Sequence, residues 1–474
     1  MFEQGSSAMA GAQNDLRAEI VGVDQLVPLL NGTLRPYVYL DNAASTPSFR
    51  AVQAKVDEFL VWYSSVHRGS GLKSLVSSRA YDEAHAIVAQ FLDADPEADC
   101  VVFGKNSTEA LNKLAHQMPF DAGDVVLCTQ MEHHSNDLPW RRVAHVEHVA
   151  ILPDGALDLD DLERKFTQFG GRVKLLATSG ASNVTGFMPP IYDMAEIAHA
   201  HGVPILVDAA QLAPHRAIHM GPVGSPRRLD FVALSAHKMY APFGTGALVG
   251  PKEFFLQRPP DYCGGGTVEI VTFDEVLWAD PPERDEAGSP NVVGAVALAA
   301  SIRMLTGIGM DTLAAHEAAL TAHALRRLAK VPGLRIYGSG DPQRVDDRLG
   351  VISFDLAGIP HAKVAAILGF EGGIGVRNGC FCAHPYILRL LHIEGAAYER
   401  HKQAVLDHDR RDIPGLVRAS FGCYNTMEEI DHLVTMLQRI SAGEYEGDYV
   451  IDRRSGSYFP KGYDPARLDG YFTV

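Results

Sequence analysis

The sequence has little of several features that mark other classes of protein. Its 42 Lys and Arg residues are outnumbered by 58 Asp and Glu, and the net charge of -16 offers no basic surface for nucleic acid phosphates. No run approaches the roughly 20 apolar residues that span a bilayer, and the N-terminal residues lack the basic and apolar regions of a signal peptide. We therefore expect a cytoplasmic protein that binds neither nucleic acid nor membrane.

Cysteine is also scarce. Six cysteines in a chain of 474 residues are too few for a disulfide framework, and we expect free thiols in a reducing compartment. Cys100 and Cys128 lie beside apolar, strand-like runs, where a small buried residue is usual. Cys380 and Cys382 instead lie close together in a glycine-containing loop.

The overall composition is that of an ordinary globular protein. Apolar residues make up 46% of the chain and charged residues 21%. A chain of 474 residues is too long to fold around one small core, and its length indicates roughly two to three structural units. We predict an N-terminal segment at 1–35, a large domain at 36–305, a small C-terminal domain at 306–444 and a tail at 445–474.

Short apolar runs alternate with helical patterns in the first half of the chain. This alternation predicts an α/β fold with a mainly parallel sheet of seven strands, and we expect the C-terminal domain to be a smaller α+β unit. A helical connector is predicted at 292–328. The seven runs lie at residues 101–103, 125–127, 149–152, 173–177, 205–207, 231–234 and 247–249.

Polar residues follow several of these runs directly. In a parallel sheet the carboxyl ends of the strands meet at one edge, where ligands bind, so these residues are expected to share one cleft. The polar clusters lie at residues 104–108, 132–134, 179–183, 208–211 and 235–238.

Three of the clusters supply the groups that pyridoxal phosphate (PLP) chemistry requires. Lys238 can form an imine with the cofactor, and Asp208 can keep the pyridine nitrogen protonated. Ser107 and Thr108 open a helix, where free backbone N–H groups favour a phosphate. Two further groups beside the lysine can bind that phosphate, namely Ser235 and His237.

Each of these residues also has an ordinary structural interpretation. A lysine after a strand is commonly a surface residue, Ser and Thr before a helix are commonly N-caps, and His133 can be an interior histidine with satisfied hydrogen bonds. Their occurrence together and in this order favours the cofactor hypothesis.

The order of these motifs resembles the class V aminotransferase family of fold type I PLP enzymes. Within that family the chain is similar to the SufS-like (group II) cysteine desulfurases and selenocysteine lyases. The resemblance runs through blocks at residues 39–44, 66–69, 107–109, 132–134, 182–184, 207–211, 235–238 and 418–420.

The resemblance implies a role for each site residue. Lys238 would be the Schiff-base lysine, Asp208 would bind the pyridinium nitrogen, Gln211 would lie near the phenolic oxygen, and His133 would stack on the ring. Family members are homodimers with the site at the interface, so Ser289 would reach the phosphate of the neighbouring subunit. Two sets of residues complete the site: Ser107, Thr108, Ser235 and His237 for phosphate, and Asn183, Arg418 and Arg377 for the substrate carboxylate.

The cysteine loop favours a desulfurase. Residues 377–385 match the family pattern Arg-x-Gly-x-x-Cys-x-x-Pro, in which Cys382 is the nucleophile. The resemblance implies that L-cysteine is converted to L-alanine, with a persulfide left on Cys382 for transfer to a protein acceptor. The loop departs from the group II pattern at Cys380 and Phe381, and its Gly-Cys-Phe-Cys string also resembles molybdenum-cofactor sulfurases. A charged stretch at 396–412 has the character of an insertion.

Several alternatives stay open at this point. The enzyme can be a selenocysteine lyase, another C–S β-lyase or an aminotransferase in which Cys382 is not a nucleophile, or the fold can serve as a non-enzymatic scaffold. Cys380, Cys382 and His384 also suggest zinc, but no second pair of ligands accompanies them, and we predict no metal site.

Overall fold

The computed structural model describes residues 16–67 and 69–474. Two parts of the chain lie outside the described residues. They are residues 1–15, in the predicted N-terminal segment, and Arg68, in one of the family blocks. The strands are β1 Leu26–Pro28, β2 Leu34–Pro36, β3 Val38–Tyr39, β4 Asp99–Gly104, β5 Val125–Thr129, β6 His145–Val149, β7 Val173–Ser179, β8 Ile205–Asp208, β9 Phe231–Ser235, β10 Gly246–Pro251, β11 Val268–Val271, β12 Val276–Trp278, β13 Leu334–Tyr337, β14 Val351–Leu356, β15 Ile374–Gly375, β16 Arg377–Gly379, β17 Leu416–Ser420, β18 Tyr449–Ile451 and β19 Tyr458–Pro460. The helices from residue 50 onward are α1 Arg50–Leu60, α2 Leu72–Phe91, α3 Ser107–Gln117, α4 Trp140–Val143, α5 Leu159–Phe169, α6 Ile191–Ala200, α7 Lys252–Leu256, α8 Val292–Ile308, α9 Met310–Leu328, α10 His361–Gly372, α11 His384–Leu390, α12 Gly395–Leu406 and α13 Met427–Ser441.

The large unit is built on a sheet of seven strands in the order β4-β10-β9-β8-β7-β5-β6. Strand β10 runs antiparallel to both of its neighbours, and the other pairs are parallel. The predicted mainly parallel sheet is therefore confirmed. Every residue of β5, β8 and β9 is buried, because helices cover both faces of the sheet.

Two predicted elements differ from the structure. The third strand was expected at residues 149–152, whereas β6 covers His145–Val149. This strand lies at the edge of the sheet and is partly exposed, so its sequence lacks a continuous apolar run. The connector predicted at 292–328 is two helices, α8 and α9, separated at Gly309, whose φ of +94° interrupts the helical backbone.

Helices α1 and α2 pack against α8 on one face of the large sheet, and α3 covers the other face. Among the described residues, no single helix is long and apolar enough to cross a membrane. Helices α8 and α9, which meet at an angle of 76°, have the length and apolar composition of a membrane span only when they are counted as one segment.

A smaller α+β unit lies C-terminal to α8, as predicted. Its antiparallel sheet has the order β13-β14-β17-β16, and α9, α10 and α13 contribute to its apolar core. Strand β3 from the N-terminal part pairs with β15, and Leu40 is buried in the same core. The tail forms the hairpin β18–β19, which packs on this unit through Tyr449 and Tyr458. The domain limits at 35, 305 and 444 stay a prediction.

Candidate active site

A cavity of about 280 Å³ lies where the carboxyl ends of the parallel strands face the smaller unit. Most of the predicted site residues line this cavity, although they come from segments that are far apart in the chain. They are Ser107, Thr108, His133, Asn183, Asp208, Gln211, Ser235, His237, Lys238, Arg377, Cys382 and Arg418. Ser289 is not among them, since it lines a separate cavity of about 880 Å³.

Lys238 and Asp208 form the charged centre of the cavity. Asp208 closes β8, and Lys238 ends the short 3₁₀ turn that follows β9. Burial lowers the pKa of Lys238 to about 8, partly offset by Asp208, while burial raises the pKa of Asp208 against the opposing effect of Lys238. The Ala210 N–H donates to Asp208 Oδ1 at 3.0 Å, and Oδ2 has no donor within the part of the chain that is described. A carboxylate oxygen is thus available to a cationic ring nitrogen.

The N-terminus of α3, at residues 106–108, forms a potential anion-binding site at one end of the cavity, here called the anion seat. The Asn106 side chain caps the helix by accepting the Glu109 N–H at 3.0 Å, which leaves the first N–H groups of the helix directed at the cavity. Ser107 and Thr108 add hydroxyls, and Ser235 Oγ lies 3.5 Å from the Ser107 nitrogen. Backbone N–H groups, hydroxyls and a helix dipole fit a phosphate.

Gly246 of β10 allows this seat to approach the sheet. A Cβ atom at this position would lie 2.5 Å from the carbonyl carbon of Asn106 and 2.6 Å from the carbonyl oxygen of Leu234. Both contacts involve backbone, which cannot move aside as a flexible side chain can. The close contact between β10 and the start of α3 therefore depends on glycine.

His133 presents a neutral ring to the cavity. Its Nδ1 accepts the Ser135 N–H at 3.1 Å, which leaves the ring proton on Nε2. Burial, together with the positive charge of Lys238, lowers the pKa of His133 to about 3. The preceding Glu132 is buried and anchors this segment by accepting hydrogen bonds from Ser179, Thr129 and Asn136.

The two arginines expected to bind the substrate carboxylate share a partner that we did not predict. Arg418 donates to Asp41 Oδ1 at 2.9 Å, and Arg377 lies 3.0 Å from Asp41 Oδ2. Arg418 also donates to the Asn183 carbonyl at 2.9 Å, and its buried Nε has no partner among the described residues. Asp41 belongs to the family block at 39–44, but nothing in that block marks its carboxylate as a partner of Arg418.

The cysteine loop is a tight turn. The Ala383 N–H donates to the Cys380 carbonyl at 2.8 Å, and the two central residues, Phe381 and Cys382, have φ of +50° and +54°. Positive φ at both central positions defines a type I′ turn, which usually carries Asn and Gly. The Cys382 carbonyl accepts the His134 N–H at 2.7 Å. An uncommon backbone conformation therefore places the exposed Cys382 at the cavity.

Cys380 occupies a different environment from Cys382. It is buried, and its thiol donates to the Pro414 carbonyl at 3.1 Å. Burial raises the pKa of Cys380 to about 11. His384, the third residue of the zinc alternative, contacts His134 with a ring nitrogen distance of 3.1 Å. Across residues 16–67 and 69–474, no group of three or more His, Cys, Asp or Glu side chains is arranged to hold a metal ion.

Other residues of the site were also missed from the sequence. Ser135 lines the cavity, and its hydroxyl lies 2.7 Å from the Thr108 hydroxyl, so it links the His133 segment to the anion seat. Phe381 lines the cavity beneath the Arg418 guanidinium, which lies 4.9 Å from the ring centroid. Neither residue type carries a signal for these roles, although both lie next to residues that we did select.

Comparison with known proteins places this chain in a family. Residues 38–433 match the family model described as aminotransferase class-V. A probable cysteine desulfurase of Halobacterium salinarum is 35% identical over 445 residues, which cover 91% of this chain and 96% of that protein. A cysteine desulfurase of Dickeya dadantii is 35% identical over 416 residues, covering 86% of this chain and 92% of that protein.

Solved structures agree with these sequence relatives. The apo structure of a cysteine desulfurase from Thermococcus onnurineus is similar with a TM-score of 0.78 and 32% identity, covering 91% of this chain and 98% of that one. A cysteine desulfurase from Escherichia coli, solved in an S-sulfonic acid form, has a TM-score of 0.74 and 28% identity, covering 92% of this chain and 99% of that one. The chain therefore belongs to the class V aminotransferase family.

Proposed function

We propose that this protein is a PLP-dependent cysteine desulfurase that converts L-cysteine to L-alanine and holds the sulfur as a persulfide on Cys382. One observation carries the proposal: Lys238 and Cys382 line the same cavity of about 280 Å³, although they come from the large and the small unit. An aminotransferase requires the lysine but has no use for a thiol at this place.

The residues present fit PLP. Lys238 Nζ would hold the cofactor covalently, the free Oδ2 of Asp208 would bind the pyridinium nitrogen, and the neutral ring of His133 would stack on the cofactor. Gln211 would bind the phenolic oxygen. When bound, PLP supplies an electron sink for the substrate. The phosphate would be held by Ser107, Thr108, Ser235 and His237.

Arg418 would bind the substrate carboxylate together with Asn183 and Arg377. The buried Nε of Arg418 supports this role, because it is a donor without a partner in the described part of the chain. An incoming carboxylate can accept from this nitrogen as part of a bidentate contact. Since Asp41 already binds Arg418, the substrate would share or displace that contact.

Lys238 would carry out the proton transfer. With a pKa of about 8, its Nζ can both accept and release a proton near neutral pH, as a general base and acid must. We propose that this atom takes the Cα proton of bound cysteine. His133 stays neutral because its pKa is about 3, and its Nε2–H can donate a hydrogen bond at the same site.

Cys382 would take the sulfur. Its thiolate attacks the substrate sulfur, so that an S–S bond forms while the C–S bond breaks and its electron pair stays with the substrate carbon. The turn at 380–383 supports this step because it presents an exposed thiol at the cavity. Exposure also gives the thiol of a protein acceptor access to the persulfide.

We further propose that the enzyme is a cytoplasmic homodimer. Ser289 lies away from the Lys238 cavity of its own chain, which suits a hydroxyl that serves a neighbouring subunit. The nearby β11–β12 hairpin exposes several apolar side chains, which would be covered by a second copy. They are Ile270, Val271, Phe273, Val276 and Leu277.

The test is product analysis on the holoenzyme. L-cysteine should give alanine, and mass spectrometry should find an added sulfur on Cys382. Cys382→Ala should lose alanine formation from cysteine, whereas Cys263→Ala, which removes an exposed thiol elsewhere, should not. If Cys382→Ala retains the full rate, the nucleophile is misassigned, and preferential turnover of selenocysteine or of a sulfur-free amino acid would favour the alternative activities.

A further inference from the structure

A second cavity lies against the cysteine loop. It has a volume of about 670 Å³ and shares no lining residue with the Lys238 cavity. Its walls come from the start of α10, the segment 378–380, helix α12, the segment 410–414 and the turn at 455–458. Three of these segments belong to the charged stretch at 396–412 or to the C-terminal tail, for which the proposed function has no role.

The cysteine loop divides its two thiols between the two cavities. Cys382 lines the Lys238 cavity, and Cys380 lines the second cavity. Cys380 and Cys382 are the first and third residues of a β-turn whose ends lie within about 7 Å of each other, so their backbones are close, and side-chain rotation would bring the two sulfur atoms together. This rotation also requires release of the Cys380 thiol from the Pro414 carbonyl.

The second cavity has a basic lining in a chain whose net charge is -16. Lys402 and Arg410 are exposed at its wall, and Asp412 is the single acidic residue among those that line it. Lys402 lies 3.6 Å from Glu399 in an exposed pair, which is a weak contact. The Arg410 guanidinium has no ion-pair partner within the described residues. Two cationic groups are therefore available to an anion.

The dimensions and chemistry of the cavity indicate its ligand. A volume of about 670 Å³ is in the range of small-molecule sites and does not admit a folded domain. Apolar side chains such as Leu388 and Tyr398 supplement the cationic groups. Among the described residues that line this cavity, Cys380 carries the one thiol, whose chemistry with a sulfur donor is thiol exchange. A small thiol that carries carboxylate groups matches all three properties.

We propose that the second cavity is a sulfur-delivery site, in which Cys380 takes the terminal sulfur from Cys382 and passes it to a small anionic thiol. This proposal rests on the proposed function, since the Cys382 persulfide is its starting point. The Cys380 sulfur attacks the terminal sulfur of the persulfide, the old S–S bond breaks, and the Cys380 proton passes to the Cys382 sulfur. The acceptor thiol then repeats the exchange with Cys380, and no oxidant or reductant is consumed.

The different environments of the two thiols support a division of roles. Because burial raises the pKa of Cys380 to about 11, this thiol keeps its proton while Cys382 reacts with substrate. Cys380 is also absent from the lining of the substrate cavity. It therefore does not compete for the substrate sulfur and acts only after the persulfide has formed.

The first test compares acceptor thiols of different charge on the holoenzyme. Mercaptosuccinate carries two carboxylates, dithiothreitol is neutral and cysteamine is cationic, and transfer of sulfur to each is followed together with alanine. Mercaptosuccinate should be the best acceptor relative to its intrinsic reactivity. Lys402→Glu and Arg410→Glu should each lower transfer to mercaptosuccinate about two- to fivefold. Arg400→Glu on the same helix, outside the cavity lining, should not.

The second test removes the relay. With mercaptosuccinate as sole acceptor, Cys380→Ser should lose most of the sulfur transfer seen in the wild type, because only direct attack on the exposed Cys382 remains, and sulfur should accumulate on Cys382. Turnover with dithiothreitol, which can approach the exposed Cys382 directly, shows that this variant is folded and loaded with cofactor. Fragmentation of the 378–389 peptide of the wild type should locate sulfur on both cysteines.

The outcomes separate the two proposals. Alanine formation without discrimination among the thiols, or undiminished transfer to mercaptosuccinate by Cys380→Ser, overturns the delivery site and leaves the desulfurase intact. Failure of the wild type to form alanine overturns the proposed function and, with it, the delivery site.

Discussion

Arg418 donates to Asp41 at 2.9 Å, so the buried guanidinium that is proposed to bind substrate is already neutralised by the chain itself. Arg377 contacts the other oxygen of the same carboxylate at 3.0 Å. A buried arginine that loses its anion is strongly destabilising, because its charge has been removed from water without compensation. Asp41 is therefore a positioning residue for both arginines.

Asp41→Asn should lower the free energy of unfolding by about 3 kcal/mol, measured by urea denaturation. Saturating L-alanine, the proposed product, should restore part of this loss, because its carboxylate supplies an anion to Arg418. The same addition should stabilise the wild type less. Asp24→Asn, which removes an exposed ion pair with Arg17 at 3.5 Å, serves as the control and should change little. Equal stabilisation of both proteins by alanine would contradict the proposed role of Arg418.

Cofactor uptake by the apoenzyme should depend on the protonation of Lys238. Only the neutral amine attacks an aldehyde, and burial sets the pKa of this lysine at about 8. The rate of uptake should therefore rise about tenfold per pH unit below this value and level off above it. Visible absorption of the bound cofactor measures the rate. Lys238→Ala should show no such absorption, whereas Lys105→Ala, which alters an exposed lysine, should behave as wild type.

Gly246→Ala should disrupt the anion seat. The added methyl group would lie 2.5 Å from the Asn106 backbone, which would have to shift. We expect a loss of about 1 to 3 kcal/mol in the free energy of unfolding and a weaker affinity for PLP, both measurable by titration. Gly171→Ala provides a control, because a Cβ there meets no atom within 4 Å. Unchanged PLP affinity in Gly246→Ala would show that this contact does not contribute to phosphate binding.

The contact between His134 and His384 should weaken the fold in mild acid. Nε2 of His134 accepts the His384 N–H at 3.2 Å, and burial lowers the pKa of both rings below 6.5. As the pH falls below 6.5, the unfolded chain binds more protons than the folded one, so stability decreases. The free energy of unfolding should fall less steeply below this pH in His134→Gln than in the wild type. His116→Gln, at an exposed position, should keep the wild-type slope.

The sheet and most of its site residues were predictable because they follow local rules. Buried parallel strands appear as apolar runs, and each run fixes where its strand ends and hence which polar residue enters the cleft. Lys238 and Asp208 were found in this way. Cys382, Arg418 and Arg377 required the family resemblance, because they come from the small unit, where no strand-end rule applies.

The parts that were missed depend on contacts between distant segments. Asp41 meets Arg418 only because β3 joins the smaller unit, and the sequence around either residue does not reveal that pairing. The hairpin β18–β19 has strands of three residues, too short for periodicity to be visible. The second cavity likewise exists only where the charged stretch at 396–412 and the tail meet the cysteine loop.

The position of β4 also constrains the order of events during synthesis. This strand pairs only with β10 within the large sheet, and β10 ends at Pro251. Such a non-local pairing forms slowly, because the entropy of closing a long loop is lost before the contacts between the two strands can offset it. The anion seat that follows β4 cannot take its final place in a nascent chain until β10 has left the ribosome. A phosphate bound at this site would therefore be captured only after the large sheet is complete.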